Sequence, residues 1–153
     1  MITAIDHIQL AAPQGSEELL RAYYVDALGL VEVPRPASLA ARGGCWFSDD
    51  DQRVRLHLGI ETPYRASAKA HPGLRVEAIE SLAARLEAFG ALVIWDDTTL
   101  PGHRRFHSQD PVGNRLEFLQ PIGGEPAGQQ YPRMRAVAHS GSVSGPWGPN
   151  SLM

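Results

Sequence analysis

Residues 110–118, DPVGNRLEF, decide the fold that we expect for this chain. The stretch begins as a turn, because Pro111 fixes φ while Gly113 and Asn114 tolerate positive φ. It continues as a strand in which Glu117 lies between Leu116 and Phe118, so the apolar side chains take one face and the carboxylate takes the other. The sequence therefore predicts a turn between strands at 103–109 and 114–120.

The same order of elements occurs twice along the chain. Alternating apolar residues, helical spacing and Gly or Pro punctuation predict, for the first unit, a strand at 4–11, a helix near 16–28 and strands near 30–34, 43–48 and 53–60. The second unit has a strand containing Leu74 and Val76, a helix near 78–89, and strands near 91–96, 103–109 and 114–120. Arg55-Leu56-His57-Leu58 also resembles Arg115-Leu116-Glu117-Phe118, which favours an internal repeat.

Length and composition predict one globular domain. The chain has 153 residues, of which 43% are hydrophobic and 20% are charged. We expect the domain to span 2–121, with one module at 2–62 and another at 70–121. Residues 122–153 are rich in Gly, Pro and Ser and are interpreted as a loosely docked tail.

Charge and hydropathy exclude several classes of partner. The net charge is −3 and Lys occurs only once, at Lys69, so the basic face that nucleic acid requires is not expected. The apolar runs are of strand length, shorter than the roughly 20 residues of a membrane helix. The N-terminus has no basic and apolar segments typical of a signal peptide. Cys45 is the single cysteine; we expect it to pack as a small apolar residue and expect a cytoplasmic location.

Strand alternation places several chemically capable side chains on one polar sheet face. Because neighbouring Leu, Ile and Phe residues take the apolar side, the opposite side receives His7, His57, Arg105, His107 and Glu117. Each of these taken alone is more often a solvated surface residue. Together, two imidazoles and a carboxylate suit Zn²⁺, Fe²⁺, Mn²⁺ or Ni²⁺ and leave coordination positions open for a substrate.

Several short motifs resemble the glyoxalase, bleomycin-resistance and extradiol-dioxygenase relatives of the vicinal oxygen chelate superfamily. They occur in the family's order over residues 2 to 121: IDHI at 5–8, YY at 23–24, LGL at 28–30, GGCWF at 43–47, LHLG at 56–59, KAHP at 69–72 and DPVGNRLEF at 110–118. The last motif is the most specific. The resemblance implies an α+β fold of two βαβββ modules whose mixed sheets curl around a cavity.

The resemblance also implies a metal site and a small-molecule substrate. The family's ligand positions correspond to His7, His71 and Glu117, and Glu117 is also expected to take part in catalysis. Some relatives use a fourth ligand, usually Glu, from the strand that here carries His57, and this departure argues against glyoxalase I itself. His57, Arg105, His107 and Trp46 are expected to contact substrate. A homodimer is expected, because small members commonly pair modules across chains.

Two functions are consistent with these residues. The first is a metal-dependent enzyme, of glyoxalase, isomerase, lyase or dioxygenase type, that acts on a small oxygenated metabolite. The second is a metal-free protein of the bleomycin-resistance kind, which sequesters a compound in an aromatic-lined groove. The set of two His and one Glu favours the first function, while the metal and the reaction remain open.

Overall fold

The computed structural model describes residues 1–123, so most of the predicted 122–153 tail lies outside the described residues. Two mixed four-stranded sheets form the fold, each with one helical layer, and they are not closed into a barrel. This architecture confirms the predicted α+β fold. Among residues 1–123, no helix is long and apolar enough to cross a membrane.

The first sheet has the strand order β1-β4-β3-β2, with β1 parallel to β4 and the other pairs antiparallel. Its elements are β1 (Ile8–Ala12), α1 (Glu17–Arg21), a π-helical segment (Ala22–Ala27), β2 (Val31–Glu32), α2 (Ala37–Ala40), β3 (Cys45–Ser48) and β4 (Arg55–Ile60). Only the short α2 was not predicted.

The second sheet repeats this topology, with the order β5-β8-β7-β6. Its elements are β5 (Gly73–Arg75), α3 (Ile79–Ala88), β6 (Ile94–Trp95), β7 (His103–Gln109) and β8 (Arg115–Pro121). The parallel pair β5 and β8 corresponds to β1 and β4 of the first sheet. The predicted repeat of strand, helix and three strands is therefore confirmed.

The helix predicted for 16–28 differs in two details. Its second half is a π-helix, whose wider turn allows the adjacent Tyr23 and Tyr24 both to be buried. Ser16 lies at the helix start, but its hydroxyl donates to the carbonyl of Pro13 instead of capping the helix. Gly29, with φ of 76°, ends the helical segment as predicted.

One apolar core joins both sheets to the helices. The buried side chains come from the helices and from one face of the strands, among them Leu20, Tyr24, Leu56, Leu86, Phe106 and Phe118. Cys45 is fully buried in this core, and burial raises the pKa of its thiol to about 11. The prediction that Cys45 packs as an apolar residue is confirmed.

A buried polar network connects the two halves of the chain. The predicted turn is present, with Gly113 at φ 93° and its N–H donating to the Asp110 carbonyl. Tyr24 donates its hydroxyl to the Asp110 carboxylate at 2.9 Å. Asn114 donates its amide to the same carboxylate and to the carbonyl of Ala11 in β1. The turn before β8 is thus fixed against the π-helical segment and β1.

Candidate metal centre

The registers of the two sheets place equivalent positions side by side. In the second sheet, Glu117 of β8 pairs with His107 on one side and with Gly73 on the other. In the first sheet, His57 of β4 pairs in the same way with Trp46 and Gln9. His57 therefore corresponds to Glu117, and Trp46 corresponds to His107.

Glu117 and His71 meet at the open end of β5. His71 lies two residues before Gly73, the first residue of that strand, and its Nε2 is 3.3 Å from Oε2 of Glu117. The side chain of Glu117 is only 12% exposed. A Cβ on Gly73 would lie 3.3 Å from the same carboxylate oxygen, so a glycine at this position gives the carboxylate its space.

The hydrogen bonding of His71 directs a lone pair toward Glu117. Nδ1 of His71 lies 2.6 Å from the carbonyl oxygen of Lys69, an acceptor that requires the proton on Nδ1. Nε2 of the neutral ring is then unprotonated and faces a carboxylate oxygen. This is the arrangement of metal-ligating histidines, whose second nitrogen is held by a backbone carbonyl or carboxylate.

His107 completes a cluster of three possible ligands. One ligand atom from each of His71, His107 and Glu117 lies within 4.8 Å of the other two. Nε2 of His107 is 3.8 Å from Oε1 of Glu117. Burial, followed by the charge of Arg115, lowers the pKa of His107, which favours the neutral, ligating form of this imidazole.

Arg105 donates a hydrogen bond to the other oxygen of the Glu117 carboxylate, Oε1. Its Nη1 donates to Oε1 of Glu117 at 2.5 Å, while Nη2 donates to Oδ2 of Asp96 at 2.6 Å. Burial of the guanidinium lowers the pKa of Arg105, but the contacts with these two carboxylates outweigh it and the net shift is upward. Sequence analysis did not single out Asp96; an Asx-type turn at Asp96-Asp97-Thr98-Thr99 is the signal that indicates its fixed position.

His7, His57 and Trp46 lie together on the first sheet. The ring of His57 stacks on Trp46 with centroids 3.9 Å apart and on His7 at 4.3 Å. Nδ1 of His7 lies 2.9 Å from the Asp6 carboxylate, which again requires the proton on Nδ1 and leaves Nε2 free. Burial, and then the charge of His7, lowers the pKa of His57.

The expected single polar face is divided between the two sheets. Alternation within each strand was predicted correctly, but β1 and β4 belong to one sheet and β7 and β8 to the other. Within residues 1–123, His71, His107 and Glu117 form the cluster of possible ligands, and His7 is not part of it. A metal role for His7 therefore remains a prediction.

Comparison with known proteins gives structural relatives. No family model and no curated protein matches the sequence. A solved glyoxalase family protein from Bacillus anthracis is 40% identical, with a TM-score of 0.74, over 80% of this chain and 98% of that one. A lactoylglutathione lyase from Agrobacterium tumefaciens is 21% identical with a TM-score of 0.59, over 78% and 94% of the two chains. An antibiotic binding protein from Streptomyces is 22% identical with a TM-score of 0.60, over 79% and 100%.

Fold and site together define a protein of the vicinal oxygen chelate superfamily, as the sequence motifs indicated. Within it, identity over nearly the whole Bacillus protein shows that this chain belongs to the glyoxalase family. The two more distant relatives share the fold alone, and they include both a lyase and a binding protein.

Proposed function

We propose that this protein is a metal-dependent enzyme that acts on a small oxygenated metabolite, with a divalent ion held by His71, Glu117 and His7. His107, whose Nε2 is 3.8 Å from Oε1 of Glu117, would serve as a further ligand or as a substrate contact. The observation that carries the proposal is the separation of 3.3 Å between Nε2 of His71 and Oε2 of Glu117. Two donors at ~2.1 Å from one tetrahedral ion lie roughly 3.4 Å apart, so this pair fits a shared metal.

The donor set also fits the chemistry. Two neutral imidazoles and one carboxylate suit Zn²⁺, Ni²⁺, Mn²⁺ or Fe²⁺ and leave positions open for substrate. The bound ion supplies Lewis acidity to neighbouring oxygens of a substrate. Glu117, with its Oε1 held by Arg105, would serve as a ligand and would take part in catalysis. His57 and Trp46 are placed to contact the substrate from the first sheet.

A homodimer is part of this proposal. The polar face of the first sheet carries His7, and the corresponding face of the second sheet carries His71 and Glu117. If the first sheet of one copy faced the second sheet of another, His7 of one copy and His71 and Glu117 of the other would be able to hold one ion. Each dimer then has two sites, and each site needs both copies.

Metal binding by Glu117 is the first test. Protein purified without an affinity tag is freed of metal and titrated with Zn²⁺, Ni²⁺ or Co²⁺ by calorimetry. Loss of a group that only orients a metal ligand typically weakens metal binding by ~10- to 100-fold. Glu117→Gln is expected to weaken binding by more than this, because it removes a ligand. Glu87→Gln changes an exposed carboxylate on α3 in the same way and is expected to leave binding unchanged. Equal metal content in both variants would contradict the proposal.

Complementation tests the shared site. His7→Ala and Glu117→Ala proteins are each expected to bind no metal at micromolar concentration. In a mixed dimer one site carries both substitutions and the other carries neither. Random exchange of equal amounts makes about half of the dimers mixed and should therefore restore about a quarter of the sites. Metal binding that stays absent after exchange would show that His7 of one copy does not serve Glu117 of the other.

A second function is favoured by the stack on the first sheet. Trp46, His57 and His7 line a cavity of ≈ 510 Å³ and stack on one another along its wall. Such a surface suits a planar aromatic compound bound without metal. Under this alternative, the untagged protein binds no divalent ion, and quenching of tryptophan fluorescence by the compound disappears in Trp46→Phe.

A further inference from the structure

Three of the five N–H donors of Arg105 are used by acceptors in the protein. Its Nη1 donates to Glu117, its Nη2 donates to the Asp96 carboxylate, and its Nε donates to the Asp96 carbonyl at 3.1 Å. All three nitrogens are therefore engaged, and the side chain is only 13% exposed. These contacts neutralise the guanidinium, so a direct role in binding substrate is disfavoured.

Asp96 holds this guanidinium in place. Oδ1 of Asp96 accepts hydrogen bonds from the hydroxyl of Thr99 at 2.7 Å and from the backbone N–H of the same residue at 3.1 Å. The carboxylate is thereby fixed within its own turn, while the backbone N–H of Asp96 donates to the carbonyl of Arg105 in β7. Arg105 is thus held by the turn that follows β6 as well as by Glu117.

We infer that Arg105 is a positioning residue, which holds Oε1 of Glu117 so that only Oε2 is offered to the metal. The inference rests on the proposed metal centre. Oε1 is 2.5 Å from the guanidinium, whereas Oε2 faces Nε2 of His71 and the space left by Gly73. A carboxylate held in this way binds an ion through one oxygen, which preserves an open position for substrate.

The charge of Arg105 has a second effect on the metal. A cation within a few ångströms of a dication opposes its binding, and in a poorly solvated site this repulsion is large. Loss of the guanidinium therefore removes repulsion and also frees Oε1 for coordination. Both effects tighten metal binding, whereas a general disturbance of the site would weaken it. The direction of the change separates positioning from a merely structural role.

The test compares Co²⁺ binding by Arg105→Met and Arg104→Met with that of the unaltered protein. Arg104 is the matched control, because it pairs with Glu80 and Asp97 and its guanidinium lies over the Trp95 ring, away from Glu117. Arg105→Met is expected to bind Co²⁺ about tenfold more tightly or better, with visible absorption bands altered by the additional oxygen ligand. Arg104→Met should keep both the affinity and the bands of the unaltered protein.

A conservative variant separates charge from geometry. Arg105→Lys keeps the charge but lacks the planar fork of donors that fixes Oε1, so it should alter the bands without the tenfold gain in affinity. Asp96→Asn is the alternative test if Arg105→Met does not fold. It removes the negative charge beside the Arg105 guanidinium, so the guanidinium should repel Co²⁺ more strongly and weaken its binding. Unchanged bands and affinity in folded Arg105→Met, or unchanged affinity in Asp96→Asn, would overturn the inference. Failure of the unaltered protein to bind Co²⁺ would instead refute the proposed metal centre itself, and the inference with it.

Discussion

Removal of the Tyr24 hydroxyl tests the polar network between the two halves of the chain. The hydroxyl donates to Oδ2 of Asp110 at 2.9 Å, and both residues are buried. Three further donors serve this carboxylate: the backbone N–H of Val112, the backbone N–H of Asn114 and the Asn114 amide. Tyr24→Phe therefore removes one of four hydrogen bonds and leaves the packing of the ring unchanged.

The expected loss of stability is about 2 kcal/mol. A hydrogen bond to a charged group contributes about 1.5–3 kcal/mol. The value lies in the lower half of this range because three donors remain on the carboxylate. Tyr64→Phe is the matched control, since its hydroxyl donates to the neutral carbonyl of Val112 at 2.8 Å, and it should cost about 1 kcal/mol.

The effect of Tyr24→Phe should depend on pH. Burial raises the pKa of Asp110 above 3.8, although the hydrogen bonds of Asn114 and Tyr24 oppose this shift. A carboxyl group whose pKa is higher in the folded than in the unfolded protein stabilises the fold most at a pH below its unfolded-state pKa. This stability is lost as the pH rises through its folded-state pKa. Removal of the Tyr24 donor raises that folded value further. The variant should thus lose little stability near pH 3.8 and its full ~2 kcal/mol at neutral pH.

Urea unfolding at fixed protein concentration measures these differences, because association would otherwise change the apparent stability. Tyr24→Phe and Tyr64→Phe are compared with the unaltered protein at neutral pH and near pH 3.8. A neutral-pH loss for Tyr24→Phe that equals the loss for Tyr64→Phe, and does not shrink on acidification, would refute the role given to the charged acceptor.

Three further outcomes are expected. Gly44→Ala should destabilise the fold by at least about 2 kcal/mol, because the glycine has φ of +91° and an added Cβ would lie 2.1 Å from the Leu58 carbonyl oxygen; a thermal unfolding midpoint equal to that of the unaltered protein would argue against this. Phe106→Ala should cost about 3–5 kcal/mol in urea unfolding, since this fully buried ring contacts Phe118 and Trp95, while Phe89→Ala, at a 42% exposed ring, should cost far less. Light scattering should give the mass of a dimer at micromolar concentration, and the mass of a monomer would contradict the proposed assembly.

Local alternation made much of the site predictable. Leu116 and Phe118 are buried in the core, and Glu117 lies on the opposite face beside His107, as the pattern of apolar residues indicated. His71 lies at the mouth of its strand because a short step separates it from Gly73. These relations depend only on a strand's period of two, which can be inferred from a few neighbouring residues.

Longer-range relations were not predictable in the same way. Alternation gives the face of a strand but not the sheet to which the strand belongs. The polar residues of β1 and β4 were therefore expected on one face with those of β7 and β8, although they lie on two sheets. The π-helical segment depends on the simultaneous burial of Tyr23 and Tyr24, which is a tertiary effect. The hydrogen bond between Arg105 and Asp96 depends on a contact between β7 and the turn after β6, and a single sequence does not show that contact.

Because the registers of the two sheets match, the backbone positions that carry His71, His107 and Glu117 in the second sheet have equivalents in the first sheet. His7 and His71 lie at equivalent positions of the two sheets. His7 lies two residues before Gln9, the strand partner of His57, and His71 lies two residues before Gly73, the strand partner of Glu117. The chemical contrast between the sheets includes His57 in place of Glu117, Trp46 in place of His107 and Gln9 in place of Gly73. Transfer of the second constellation into the first sheet would therefore need a substitution at each of these three positions, together with a counterpart of the Arg105 and Asp96 pair that fixes Glu117.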